Sequence, residues 1–455
     1  METIKKIGLT ELLGHGSFSI SCNLVIQFVT TFILFFYTDV FGIAPAAAGA
    51  ILAVGMAYDG ITDPVVAGII DNRRFKNGER TRPLIKYICV PLSVALIVMF
   101  TPITIHGAAA VFYCLLIYLV YDTLTTLLRL PGFALPTLAT SNQQDRLNIN
   151  TFISGGATVG AVMASVLCWP LVLAFSGLDD AGGLINPQRG FPLAAAVIGL
   201  IIIAGGLFCY HTTRERVFPK DKNEQKLSLW KAFKTTMSNY NCRWNTAFST
   251  LYFVSNSLLS TTLVYYCAVV HRNPALVTPI MAVFAIGSLI ALPFVRKIDN
   301  KIGRRKAMML GAGLILISKI PFLFFPLNIY AMYVNALIMG LSVALNIVTF
   351  STTRSEVSDH IEFVNNRRLD SMVINCMGLV NKYGTALTVL AIGLVLQFTG
   401  YDANLDYQPQ AVTTGLIAIM GWVAVGVAAL MLFCASKITI EKVMIEMKEA
   451  ETERA

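Results

Sequence analysis

The sequence is short of charge. Of 455 residues only 13% are Asp, Glu, Lys or Arg, where a soluble domain carries roughly 25%, and 55% are hydrophobic. A protein core cannot absorb that much apolar surface, so lipid has to cover it. Metal and redox motifs are missing as well. Nine cysteines fall mostly inside apolar runs, with no CxxC and no companion histidine, and read as small apolar fillers. The five scattered histidines form no metal-ligand pattern. The opening stretch METIKKIGLTELLGHGSF has no small-residue cleavage site, and the apolar run behind it is too long for a signal peptide, so the first span is expected to be retained.

What is there is a repeated apolar run of spanning length, about 20 residues being enough. Hydropathy places spans near 10–36, 45–70, 84–104, 108–136, 150–176, 191–211, 243–269, 275–297, 306–325, 328–353, 371–398 and 411–436. The net charge of +9 argues against a nucleic-acid partner through its distribution, because Lys and Arg gather on alternate loops. Arg73, Arg74, Lys76, Arg80 and Arg82 follow span two. Arg214, Arg216, Lys220, Lys222, Lys226 and Lys231 follow span six, and Lys301, Arg304, Arg305 and Lys306 follow span eight. The opposite loops hold little beyond Arg189 and Arg272. By the positive-inside rule the basic loops and both termini are cytoplasmic.

The longest polar stretch, about 212–242, divides the spans six and six. The expected organisation is a first bundle at 1–211, a central cytoplasmic loop at 212–242, a second bundle at 243–436 and a cytoplasmic tail at 437–455, the tail forming at most a short amphipathic helix. An internal echo supports two related halves: GIIDNRRFKNGERTRP returns as VRKIDNKIGRRKAM, with Asp71 matching Asp299 at an offset of 228. Internal repeats with a site at their interface are the signature of secondary transporters. In each echo an Asp, a tight Gly turn and an Arg cluster can bond two helices in one conformation. Asp71, Arg80 and Arg82, and Asp299, Arg304 and Arg305, are the candidate gate residues; orientation signalling alone is the plainer alternative.

Span two carries Asp59 and Asp63. They precede Asp71 by roughly 18 and 12 Å along a helix, which puts Asp59 near the middle of a core about 30 Å thick. Spacing of four keeps both acids on one face. Carboxylates at that depth cost a few kcal/mol and normally mark ion or substrate paths, and two of them make a hard-oxygen or proton site. Neutralisation by a Lys or Arg from another helix is the competing account. Span four places Asp122 and Arg129 on one face with Thr125 and Thr126 between them, and span eleven contributes Lys382 within VNKYG. Together these point to a polar cavity at mid-membrane. Pro64, Pro131 and Pro136 either free carbonyls for it or shape packing.

YTDVFG at 37–42, DGITDPVVAGIIDN at 59–72, RERVFP at 214–219 and NNRRLDSM ahead of a lysine-bearing span together resemble the glycoside-pentoside-hexuronide:cation symporters of the major facilitator superfamily, the family of the melibiose permease. The resemblance implies an all-α integral membrane protein of the major facilitator fold, twelve helices in two six-helix bundles. It implies sugar uptake coupled to Na⁺, Li⁺ or H⁺. It also assigns Asp59, Asp63, Thr62 and Thr126 to the cation, with Thr62 standing where the family often has Asn. On the substrate side it points to Asn23, Arg129, Asp122, Phe133, Asn381 and Lys382. The galactoside-gripping aspartates of helices one and four become Asn23 and Arg129. Arg is the best bidentate partner of an anion, so the expected cargo is an anionic sugar, a hexuronide or glucuronide first; Arg129 as a mere counter-ion of the nearby acids stays open.

A cation-coupled symporter of such a sugar is therefore expected, working as a monomer among membrane lipids, with no cofactor beyond the coupling ion. Symport of a neutral glycoside or pentoside, lysolipid symport and a non-transporting nutrient sensor are the alternatives. An intramembrane aspartyl protease is disfavoured, since it needs its acids on facing helices.

Overall fold

In lipid every backbone N–H and C=O must be satisfied within the chain, which leaves helices as the economical answer for apolar runs of this length. The computed structural model describes residues 7–72, 75, 78–140, 142–177, 184–216, 234, 236–365, 370–403, 405 and 407–454. Arg73, Arg74, Lys76 and Lys220, Lys222, Lys226 and Lys231 lie outside the described residues, as do the side chains of Asp71 and Phe133.

The long helices are α1 (Leu9–Phe35), α2 (Pro45–Asn72), α3 (Arg82–Met99), α4 (Ala108–Ala139), α5 (Gln143–Ser176) and α6 (Pro187–Thr212), followed by α7 (Tyr240–Val269), α8 (Val277–Ile302), α9 (Arg304–Phe324), α10 (Ile329–Asn365) and α11 (Asp370–Phe398). In α12, a π turn at Ile419–Val423 joins Gln410–Ala418 to Ala424–Lys437, and the short α13 (Ile440–Arg454) follows. Among the described residues ten stretches are long and apolar enough to cross a membrane. The two other long helices are α2, which carries the acids, and α7, rich in Asn, Ser and Thr. With 28 and 30 residues both exceed the spanning length of about 20. The expected all-helical membrane fold holds.

Two helices overrun their hydropathy limits. Helix α5 starts at Gln143 and α10 runs on to Asn365, because polar residues end the apolar signal without ending the helix.

The chain clusters into two compact units. The first is Met1–Asn223 with Arg272–Thr278 and Tyr401–Tyr407; the second is Glu224–His271, Pro279–Gly400 and Gln408–Ala455. In the first, α1 packs on α5 and α6, α3 on α4 and α6, and α2 on α4. Glycines let α5 press on α1: a Cβ at Gly156 would fall 2.3 Å from the Gly16 carbonyl oxygen, the small-residue packing typical of membrane helices. Rings of Phe28, Phe32, Phe100, Trp169 and Phe191 fill the far end, Phe32 stacking on Trp169 at 5.2 Å.

In the second unit α7 packs on α11 and α12, and α9 on α10 and α12. Its core holds Phe248, Tyr252, Met308, Phe350, Met377 and Met431. Helix α13 joins that core through Ile440 and Met444 and packs on α10.

Candidate functional site

Helix α2 opens on Pro45, whose missing N–H and fixed φ suit a first helical position, and continues unbroken through its acids. Where α2 meets α4, Gly55 leaves room for a ring: a Cβ there would lie 2.1 Å from Tyr118 Cε1. Two turns further on, the buried Thr126 hydroxyl of α4 reaches Asp59 Oδ1 at 3.2 Å and Asp63 Oδ1 at 3.2 Å. One hydroxyl thus serves two carboxylates on successive turns of α2. Its neighbour Thr125 turns back to the Tyr121 carbonyl at 2.9 Å, as adjacent residues about 100° apart on a helix must face differently. Thr62 is buried and its hydroxyl lies 3.3 Å from the Tyr58 carbonyl of its own helix. Thr123 donates to the Tyr58 hydroxyl at 3.3 Å, a further link between α2 and α4.

Two carboxylates and a hydroxyl oxygen form a hard, anionic oxygen set. Such a set suits a small cation or a shared proton. Among the described residues no three His, Cys, Asp or Glu side chains group together as a metal site.

A second feature of the first unit is a cavity of about 240 Å³ between α1, α4, α5 and α6. Asn23 and Arg129 line it, together with His15, Phe18, Ser19, Cys22, Gly132, Leu135, Ile153, Ser154, Ala157 and Cys209. Asn23 donates through Nδ2 to the Ser19 carbonyl at 2.9 Å, which leaves its Oδ1 as an acceptor in the cavity that Arg129 also lines. Asp122 is buried on α4 and does not line this cavity. The side chain of Phe133, the expected aromatic platform, lies outside the described residues; Phe18 supplies an aromatic wall instead. Neither His15 nor Phe18 carries a signal in the sequence: a lone histidine outside any metal-ligand pattern and a phenylalanine in an apolar run are both ordinary.

In the second unit Asn381 Oδ1 accepts from Ser249 Oγ at 2.9 Å and Thr250 Oγ1 at 2.8 Å, tying α11 to α7. Lys382 beside it is half-buried.

The basic ends of the bundles show how the gate candidates are used. In the second unit Arg304 grips Asp299 with two 2.7 Å bonds across the turn at Gly303, whose φ of 84° is cheap only for glycine. Arg304 also reaches Glu356 of α10 at 3.4 Å, and its backbone N–H donates to Glu441 of α13. Arg305 is exposed, so the bond to Asp299 runs through Arg304 alone.

In the first unit a different acid leads. Glu215, from RERVFP, accepts from the backbone N–H of Arg80 at 2.8 Å, of Thr81 at 2.7 Å and of Arg82 at 2.7 Å, and from the Thr81 hydroxyl at 2.7 Å. A carboxylate on the free N–H groups of a helix start is well matched to that end's partial positive charge. Arg82 pairs with Glu79 at 2.7 Å and lies over the Tyr210 ring. Arg216 forks onto Glu11 with two 2.9 Å bonds, and that hydrogen bonding holds the guanidinium above its usual pKa. Neither Glu215 nor Glu11 was legible beforehand: the acid in a basic loop was overshadowed by its neighbours, and its partners are backbone groups.

These helices and charges have counterparts elsewhere. The chain matches the family described as MFS/sugar transport protein over residues 14–442. It belongs to that family. The transporter is 28% identical over 427 residues to the uncharacterized symporter YnaJ of Bacillus subtilis, covering 92% of this chain and 90% of YnaJ. It is 24% identical to the isoprimeverose transporter of Lactiplantibacillus pentosus, covering 88% and 83% of the two chains. With a glucuronide carrier protein homolog of Escherichia coli it shares 21% identity over 90% and 88%. A bacterial homolog of the human lysosomal transporter Spinster superposes with a TM-score of 0.68 at 17% identity, covering 95% and 97%, which shows the fold alone. The expected kinship with glycoside-pentoside-hexuronide:cation symporters therefore holds, and the protein is a multi-pass membrane transporter rather than an enzyme.

Proposed function

We propose that the protein is a cation-coupled symporter of an anionic sugar, a hexuronide or glucuronide, with its basic ends and both termini in the cytoplasm. The observation that carries the coupling is the Thr126 hydroxyl bridging Asp59 and Asp63. Na⁺ or H⁺ bound there would offset one of the two negative charges and so relieve the repulsion between acids that crowd each other when bare. The transporter would then hold the ion more tightly in the sugar-ready state, and that difference in affinity is the coupling energy. Thr62 stands next to the second acid. Li⁺ would fit the same oxygens.

The anionic character of the cargo is argued from Arg129 beside Asn23 in one cavity. A guanidinium supplies a fork of donors for a carboxylate, and the amide oxygen accepts from a neighbouring hydroxyl. Phe133, Asn381 and Lys382 are further proposed substrate contacts, with Asp122 standing outside this cavity; Asp71 with Arg80 and Arg82, and Asp299 with Arg304, are the proposed cytoplasmic gates, Arg305 being exposed beside them. A neutral glycoside is the second reading, favoured by the likeness to the isoprimeverose transporter.

The test is uptake into proteoliposomes of a labelled glucuronide beside the matching neutral glucoside, under imposed Na⁺ and H⁺ gradients in turn. Gradient-driven uptake of the glucuronide alone is expected. Uptake of the glucoside alone would keep the symporter and discard the anion; uptake of neither overturns the reading.

A further inference from the structure

The cavity extends beyond the level of Asn23 and Arg129. On α1, His15, Ser19 and Asn23 recur every four residues and share one face, and all three line the cavity. At 1.5 Å per residue His15 lies roughly 12 Å from Asn23 along the helix, more than one sugar ring spans. Ser19 is already engaged, donating to the Ile153 carbonyl of α5 at 2.7 Å. His15 is not: it is 2% exposed, and its Nε2 is buried with no hydrogen-bond partner among the described residues. An orphaned ring nitrogen in such a place costs free energy that a ligand group can offset.

Between the two polar levels stands Phe18, also on the cavity wall. Its ring is admitted by Gly132 of α4, where a Cβ would fall 2.1 Å from Phe18 Cε1. An aromatic face beside a hydrogen-bonding nitrogen is a surface for a second ring that is apolar on its face and polar at its edge.

We infer that His15 and Phe18 form a second subsite, which takes the part of the substrate remote from its anionic group. A second sugar ring packs on Phe18, and one of its hydroxyls hydrogen-bonds to His15 Nε2. The inference rests on the reading of Arg129 as the anion's partner, and it narrows the cargo from glucuronides in general to those whose second half is itself a sugar ring.

Titration calorimetry on the purified transporter in Na⁺ tests it, with methyl β-D-glucuronide as the one-ring probe and the disaccharide glucuronosyl-galactose as the two-ring probe. The wild type is expected to prefer the disaccharide by about tenfold, the worth of one well-made hydrogen bond with its ring contact. In His15→Phe that preference should fall to about one, and His15→Gln, which keeps a polar group at similar reach, should restore part of it. Phe18→Leu provides an independent variant should His15→Phe fold poorly, and the same loss of preference is expected. A wild type that binds both probes equally, or variants that keep its preference, would overturn the subsite and leave the anionic-sugar reading standing. A wild type that binds neither probe brings down both.

Discussion

The second helix of each half occupies the same place in the repeat and does opposite things. The offset of 228 that takes Asp71 to Asp299 takes Asp59 to Gly287 and Asp63 to Ala291. In the first half this position faces α4 with two carboxylates on one threonine hydroxyl. In the second it closes a dry seam on α10: a Cβ at Gly287 would lie 2.5 Å from the Leu337 carbonyl oxygen, and Ala291 packs against the cluster of Val295, Ala344 and Leu345. A repeated fold thus builds a polar site once and a backbone-to-backbone contact once. The paired carboxylates belong to one half, and the other half offers close packing at the matching place.

The largest effect should come from Asp59→Asn. It removes one of the two negative charges and is expected to abolish gradient-driven sugar accumulation while exchange persists; uptake and counterflow in proteoliposomes separate the two. Accumulation equal to wild type would take Asp59 out of the coupling site. The seam is broken from the other side by Gly287→Ala, which forces a methyl against the α10 backbone and should cost about 1–3 kcal/mol. Gly313→Ala on α9 meets nothing within 4 Å and should leave the melting temperature near wild type. Thermal melts of both variants in detergent check the contrast, and equal shifts would mean that the seam yields freely.

Much of this half-to-half contrast could be read from the residues alone, for a physical reason. A charge in an apolar run is conspicuous, so Asp59, Asp63 and Arg129 stood out, and four-residue spacing put the acids on one face. Asp299 and Arg304 were visible because a Gly turn between an acid and a base leaves few partners. The choice of Thr126 over Thr125 was not derivable from spacing and came from the family resemblance; the structure shows the hydroxyls diverging. Glu215 was illegible because its acceptors face backbone N–H groups, which every sequence has. His15 and Phe18 were illegible because the close approach of helices that shapes their cavity, here at Gly132, leaves no composition signal. The overrun of α10 was hidden for a similar reason: hydropathy reports lipid, not helix, and Glu356 lies past the point where the apolar signal stops.

At the basic ends the halves agree in plan and differ in strength. Each places a carboxylate from beyond its sixth long helix on the free N–H groups at the start of its third: Glu215 on Arg80, Thr81 and Arg82, and Glu441 on Arg304. Glu215 is buried and accepts four bonds, whereas Glu441 is exposed and serves one N–H. Glu215→Gln should therefore cost about 2 kcal/mol, the scale of buried charge-assisted bonds, and Glu441→Gln about 0.5 kcal/mol, the scale of an exposed helix-end charge. Melting of the two purified variants side by side reads the difference, and a larger loss at Glu441 would reverse the ranking that burial sets.

The smallest predicted effect concerns the two arginine forks. Arg304→Lys gives up one of two 2.7 Å bonds to Asp299 together with the reach to Glu356. Arg216→Lys gives up half of its grip on Glu11 at a site where the guanidinium is 32% exposed, against 11% for Arg304. Solvent screens the more open pair, so the loss at Arg216 should stay at about 0.2 kcal/mol, with the loss at Arg304 about twice that. If the Arg304 fork holds the gate as proposed, transport will register what stability barely does. Arg304→Lys should then speed or slow sugar exchange at nearly unchanged melting temperature, whereas a rate that simply follows the melting temperature would reduce the fork to a helix fastener.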